Sequence, residues 1–310
     1  MSTKTKAVAP TLRTNKYNLE KFKTDVLGWC LILPALAIIC FYTIWPMIGA
    51  IQLAFSKTKG FTVVEWCGFQ NFKDVLKHPN FIQALKNSVL YTIWSLIIGL
   101  LVPVIIAALT AETTHGRGFF RIAMRLPGIL PSIASLLILT FFFRSDKLGF
   151  LNGIFINWGW EPYPFLTNKD TIIFWLIVCA TWSGAGGTSL LYMAAMSDIS
   201  PELYEAAALD GASPWKRFQN ITWPAIQGQF QLLLILQIIG VFQIMYQPMV
   251  MTGGGPNNAS LSLMLLVYRY TYMEMRLGHA GALSLVVSVF LILLSIVRYF
   301  WQKHLDEKNG

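Results

Sequence analysis

Long uncharged stretches alternate along this chain with short segments that hold nearly all of its charge. Residues 26–55, 89–109, 126–143, 171–197 and 280–297 contain no Asp, Glu, Lys or Arg. Residues 218–268 contain none either, and 230–251 is the most apolar part of that stretch. A helix rises about 1.5 Å per residue and needs about 20 residues to cross the hydrocarbon layer, so the pattern predicts six spanning helices. Periodicity within the runs is weak, as befits helices wetted by lipid rather than water. Strands of a membrane barrel would alternate over about ten residues, and no such alternation is present. The predicted fold class is an all-α polytopic membrane protein with six transmembrane helices.

The segments between the runs give the order. A polar tail precedes span 1, a loop over 56–86 follows it, and a short loop over 112–122 separates spans 2 and 3. Longer loops follow at 144–170, 198–224 and 252–278, and a short tail follows span 6. The expected division is 1–25 as a basic tail, 26–302 as the membrane domain and 303–310 as a second tail. Phe69, Phe72, Phe81 and Leu85 suggest a short amphipathic helix on the outer surface. Pro34, Pro46, Pro103, Pro127, Pro131, Gly184, Gly186, Gly187 and Gly240 fall within the spans. Proline frees a carbonyl and permits a kink, and small residues permit close helix contact. The glycines at 184–187 read either as ordinary packing or as space beside a pathway.

Composition supports the membrane reading. The 310 residues are 55% hydrophobic and only 13% charged, against about 25% charged in a soluble domain. The net charge of +9 collects at the flanks of the spans. Lys4, Lys6, Arg13, Lys16, Lys21 and Lys23 make the first segment basic, and the run behind it is too long for a cleaved signal core. Basic flanks favour the inside, which with six spans places both termini in the cytoplasm. The bias is modest, with Lys57, Lys59, Lys73, Lys77 and Lys86 on the outer side. Arg117, Arg121 and Arg125 support the same orientation. No basic cluster marks a nucleic-acid surface. Cys30, Cys40, Cys67 and Cys179 have neither disulfide nor zinc spacing. His78, His115, His279 and His304 lie at loops or ends without metal-ligand spacing, so a metalloenzyme is disfavoured. The span cores lack ionisable residues, with Arg125 and Arg144 at the ends of span 3, which disfavours an ion-driven secondary transporter.

The loop at 198–224 is the most ordered polar segment. Ser200 is placed to cap a helix, Pro201 fits its first turn, and Glu202 and Glu205 suit its positive end. Gly211 is placed to end that helix in a left-handed turn. Ser213 and Pro214 restart a second helix with an apolar stripe at Trp215, Phe218 and Ile221, which Pro224 is expected to close before span 5. Two short helices at a glycine bend make a rigid knob suited to presentation to another protein.

Here a resemblance enters. Glu205-Ala206-Ala207, then Asp210-Gly211-Ala212, then Phe218, Ile221 and Pro224 are similar to the EAA loop of permeases of ATP-binding-cassette (ABC) importers. Thr252-Gly-Gly-Gly-Pro256 and Gly68-Phe69-Gln70-Asn71-Phe72 resemble the sugar-type permeases related to the membrane subunits of the maltose transporter. The resemblance covers the chain from about residue 26. Trp223 departs from it, at a position usually held by a smaller aliphatic residue. The resemblance implies a second homologous permease, two ATPase subunits docked on the EAA loops, and an extracellular or periplasmic binding protein that delivers a sugar or oligosaccharide. A sugar-phosphate or polyol is the alternative. It also implies a bacterial or archaeal plasma membrane, and that Glu205 meets an Arg or Lys of the ATPase. The chain has no G-x-x-x-x-G-K-[ST] phosphate loop, so ATP and Mg are expected on the partner subunits, with no cofactor bound here and no enzymatic activity of its own.

Span 5 carries Gln237, Gly240, Gln243 and Gln247 within a helical face of about 120°. Glutamine facing lipid is costly, so this face should meet protein or a watery path. The resemblance adds Trp182, Ser183 and Gly184 of span 4. Amides suit sugar hydroxyls and aromatic rings suit the CH face of a sugar ring.

Overall fold

The computed structural model describes residues 13–112 and 117–309. Lys4, Lys6 and His115 lie outside the described residues. The chain divides into two units, Met1–Leu53 and Ala54–Gly310.

In the first unit, α1 (Arg13–Ile39) continues through a wide π turn (Cys40–Ile44) into α2 (Trp45–Ala54). Together they form the candidate span Asp25–Ala54. Pro34 lies inside α1 without ending it.

The second unit opens with a hairpin, β1 (Ser56–Lys59) against β2 (Thr62–Trp66). This two-stranded sheet is a small exception to the expected all-α architecture. Next come α3 (Gln70–Lys77) and α4 (Pro79–Trp94). The expected surface helix is therefore two helices. Phe69 caps α3 and Phe72 lies in it, whereas Phe81 and Leu85 belong to the first turns of span 2. The break falls at His78, whose Nδ1 accepts from Asn80 N–H at 3.2 Å, with Pro79 fitting the start of the next helix. A π turn (Ser95–Gly99) joins α4 to α5 (Leu101–Glu112), giving the span Pro79–Ala111.

Span 3 is broken rather than continuous. α6 (Arg117–Ile129) and α7 (Ser132–Phe142) meet at 98°. Pro131 explains the break, since it cannot donate to the helix ladder and its ring disfavours a helical residue before it. α6 packs along α9 (Ile172–Ser197). Leu136 and Leu139 of α7 join Ile172, Ile173, Leu176 and Ile177 at the beginning of α9 in one apolar cluster. Taken as one bent span accompanying α9, the pair brings the total among the described residues to six. The bend also corrects the position of Arg125, which lies within α6 rather than at the end of the span.

α8 (Phe150–Asn157) lies in the connection between α7 and α9. Asn152, fully buried, holds that connection together by donating to the carbonyls of Arg144 and Tyr163 and accepting from Tyr163 N–H. α9 is the central span of this unit and packs against α4, α5, α6 and α12. Beyond it come α10 (Pro201–Leu209), α11 (Pro214–Arg217), a π turn (Phe218–Thr222) and α12 (Trp223–Phe242). Pro214–Phe242 is one continuous helix, so Pro224 does not close the second short helix before span 5. The π turn already shifts the ladder, with Trp223 N–H bonding to the Phe218 carbonyl, and Pro224 falls in the first turn after that shift, where its missing donor is tolerated.

Span 5 ends earlier than the hydrophobic run suggests. α12 stops at Phe242, and the chain turns through Gln243, Ile244 and Met245 before α13 (Tyr246–Thr252). The following loop holds α14 (Leu263–Tyr268) and a π turn (Arg269–Met273), and α15 (Leu277–Asn309) supplies span 6. Leu261, Leu263, Leu265 and Leu266 are buried against Phe242, Leu283 and Val287. This loop is therefore part of the core rather than a surface connection.

Candidate functional site

The first site is the knob at 198–224. α10 starts at Ser200, whose side chain makes no capping bond; only its carbonyl engages, accepting from Leu203 N–H at 3.2 Å. The helix ends in a Schellman turn. Ala212 N–H reaches the Ala207 carbonyl at 2.9 Å, Gly211 N–H reaches the Ala208 carbonyl at 3.0 Å, and Gly211 has a φ of +74°. α11 is capped by Ser213, whose hydroxyl accepts from Lys216 N–H at 3.4 Å. No residue of α10 is buried, and Leu209 is 90% exposed at its end. Glu205, Ala206, Asp210 and Gly211 are exposed and Ala207 is half-buried. Leu203, Leu209 and Trp215 are exposed apolar side chains of the knob.

The knob is fastened to span 5. Tyr204 and Thr222 share a hydrogen bond of 2.8 Å between their hydroxyls. Trp215, Phe218, Trp223 and Phe230 form a ladder with centroid separations of 5.6, 6.3 and 4.9 Å. Trp223 is therefore accommodated as one rung of that ladder. Phe218 also packs against the cluster of Val104, Tyr192, Met196 and Leu233. Pro224 is exposed.

The second site is a cavity of about 260 Å³ between spans 2, 4 and 5. Gln237, Gly240, Gln243 and Gln247 all line it, together with Gly184 of α9. The four span 5 positions do not share one helical face, because the helix breaks at Gln243. They converge because the break turns α13 back toward α9. Trp182 and Ser183 are not among the lining residues; Trp182 is exposed, and the Ser183 hydroxyl donates to the Cys179 carbonyl at 3.2 Å. Thr181 and Thr188 of α9, Ser95 and Gly99 of the π turn, and Tyr246 complete the polar lining, and sequence reasoning did not single them out. The available signal was a Ser and a Gly four residues apart within the uncharged run at 89–109.

Local sequence builds the cavity. The π turn at Ser95–Gly99 brings Ser95 within 2.5 Å of Gln237 Nε2, which donates to its hydroxyl. A Cβ at Gly99 would lie 2.6 Å from that same Nε2, so only glycine lets the amide approach. Cβ atoms at Gly184 and Gly240 would meet nothing within 4 Å, so these two glycines border open space. Gly186 serves packing instead, because a Cβ there would collide with the Met124 carbonyl of α6. The two readings of the 184–187 glycines thus divide by residue. Hydroxyls and carboxamides supply the polarity of the cavity, and no Asp, Glu, Lys, Arg or His lines it among the described residues.

The two remaining motifs brace the ends of the spans. Asn71 Nδ2 donates to the Ala54 and Ser56 carbonyls, both at 2.9 Å. Gly253 closes α13 with a φ of +60°. Arg269 holds the loop by donating to Gly253 O at 2.7 Å and Asn258 Oδ1 at 2.8 Å, while Tyr91 OH donates to Ser260 O at 2.9 Å. Tyr270, just outside the spans, has its pKa raised by burial and by Glu274, against the opposing influence of Arg276.

Comparison with known proteins agrees with this architecture. The family model described as binding-protein-dependent transport system inner membrane component matches residues 114–309. The chain is 27% identical over 258 residues to the arabinooligosaccharides transport system permease protein AraP of Bacillus subtilis (strain 168), covering 83% of this chain and 82% of that protein. It is 28% identical over 293 residues to the lactose transport system permease protein LacF of Rhizobium radiobacter, covering 93% and 97%. In fold it resembles a chain of a bacterial ABC transporter involved in the import of the acidic polysaccharide alginate, with a TM-score of 0.82 at 24% identity, covering 93% of this chain and 99% of that one.

Proposed function

The chain belongs to the binding-protein-dependent transport system inner membrane components, and from that premise we propose that it forms half of the pathway of an ATP-driven importer for a neutral sugar or oligosaccharide. The observation that carries the substrate class is the cavity between spans 2, 4 and 5. Gln237, Gln243, Gln247, Thr181 and Thr188 offer paired donors and acceptors without a formal charge. Such a lining matches hydroxyl groups, which both donate and accept. A sugar-phosphate would call for Arg or Lys at the same place. The relatives include permeases named for arabinooligosaccharides and lactose and one named for sn-glycerol-3-phosphate, so the neutral character rests on the cavity lining alone.

The partners follow from the knob. α10 is the docking element for one of two ATPase subunits, with Glu205 as its charged contact and Ala206, Ala207, Asp210 and Gly211 shaping the surface. Phe218 and Pro224 tie that element to span 5. ATP and Mg act on those subunits. A second, homologous permease supplies the other half of the pathway, and an external binding protein delivers the solute. The loop at 198–224 and both termini then face the cytoplasm. Residues 1–25 and 303–310 are the flanks of a single membrane domain at 26–302. Trp182 and Ser183 remain candidates for contacts made in another state of the transport cycle.

The test is uptake by the complete importer in proteoliposomes, with its binding protein, against a panel of neutral sugars and their phosphorylated counterparts. ATP-dependent uptake confined to neutral sugars is expected. Uptake of the phosphorylated members alone would reject the assignment.

A further inference from the structure

We propose that the groove between α6 and α9 binds an anionic phospholipid, with Arg125 holding its phosphate. α6 crosses α9 at Gly186, where a Cβ would collide with the Met124 carbonyl and would lie 3.2 Å from the Arg125 backbone nitrogen. The crossing fixes the Arg125 backbone beside the middle of a 26-residue span, roughly 16 Å from its end at Ser197 at about 1.5 Å per residue. A guanidinium at such depth needs an anionic partner or a route to the interface. Its side chain lines a groove of about 420 Å³ that extends to Ser197.

The other lining residues are Ile122, Leu190, Met193 and Ala194, all apolar. The Ser197 hydroxyl already donates to the Ala194 carbonyl at 2.6 Å, which leaves the guanidinium as the anion donor. No carboxylate lines the groove, and Arg125 has no ion pair among the described residues. Asp198, next along the chain, is exposed.

An apolar trough with one guanidinium matches an acyl chain attached to a phosphate. Arginine presents two parallel donors to phosphate oxygens. Free phosphate would leave the trough unfilled, and a zwitterionic headgroup would bring a cation toward Arg125. Ser197 leads directly into the knob, so the lipid sits in the cytoplasmic leaflet; this placement rests on the orientation proposed above.

The experiment uses the complete importer in nanodiscs of phosphatidylglycerol and phosphatidylcholine in equal amounts, with retained lipid read by native mass spectrometry. The wild type should retain phosphatidylglycerol preferentially. Arg125→Gln should reduce that retention at least threefold, and Arg125→Lys should largely preserve it. Ala194→Leu, which fills the trough while keeping the charge, should reduce it as well. A phosphatidylglycerol with a diazirine in its acyl chain should label the segment containing Leu190 and Met193. Unchanged retention in both Arg125→Gln and Ala194→Leu would overturn the proposal. So would efficient photocrosslinking to the partner permease by a benzophenone attached at Ser197→Cys, which would mean that protein fills the groove. Co-purification of the ATPases is scored separately, and its failure would reject the importer reading without altering the lipid measurement.

Discussion

Tyr204 and Thr222 meet hydroxyl to hydroxyl at 2.8 Å, joining the exposed knob to the π turn at the foot of span 5. They lie 18 residues apart in sequence, on either side of the Gly211 bend. Motion imposed on α10 therefore reaches α12 through a side-chain bond as well as through the chain. Removing it with Tyr204→Phe or Thr222→Val should cost about 1 kcal/mol, and the double variant should cost less than the sum. The functional expectation is more ATP hydrolysed per solute imported, measured by ATPase and uptake assays on one preparation.

Gly211 holds a φ of +74° at the end of α10. A β-branched residue there pays about 1 kcal/mol or more in backbone strain. Gly211→Val should leave the chain inserted in the membrane but release or uncouple the ATPase. Glu205→Lys should do the same by reversing the charge of an exposed contact. Co-purification of the ATPase together with solute uptake measures both, and wild-type values for both variants would place the docking surface elsewhere.

Gln243 and Gln247 line the cavity from either side of the break between α12 and α13. Gln243→Leu and Gln247→Leu should lower binding-protein-stimulated transport about tenfold while assembly is unchanged, since each removes an amide worth about 1–1.5 kcal/mol to a hydroxylated solute. Gln237→Leu should also disturb span 2, because it strips Ser95 of its partner. Normal transport by all three variants would make this polar lining a packing feature.

Gly186 has no room for a methyl group against the Met124 carbonyl. Gly186→Ala should push α6 away from α9 and cost about 1–3 kcal/mol of stability, as over-packing does. Gly184→Ala, directed into open space, should be nearly neutral in the same thermal melt. Equal melting temperatures for the two variants would argue against the close crossing.

The six spans were legible because hydrocarbon imposes a length and a composition on any segment that crosses it, and 171–197 matches α9 within a residue. The knob was legible because Pro201, Gly211, Ser213 and Pro214 act through local backbone preferences that need no tertiary context. What the sequence could not disclose are the places where uniform hydrophobicity hides a change of direction. The run at 230–251 is interrupted at Gln243, and the residues beyond 252 return as the buried helix α14. An apolar leucine reads alike whether it faces lipid or a neighbouring helix, so only packing against Phe242 and Leu283 decides that Leu261 and Leu265 belong to the core. The glutamines of span 5 were picked out by the cost of placing an amide in lipid, whereas Ser95, Thr181 and Tyr246, which line the same cavity, were decided by the tertiary structure. A Ser or Thr can satisfy itself on its own helix, and a tyrosine is at home at either membrane interface. Their meeting around one cavity depends on the π turn at Ser95–Gly99 and on the break that turns α13 back toward α9.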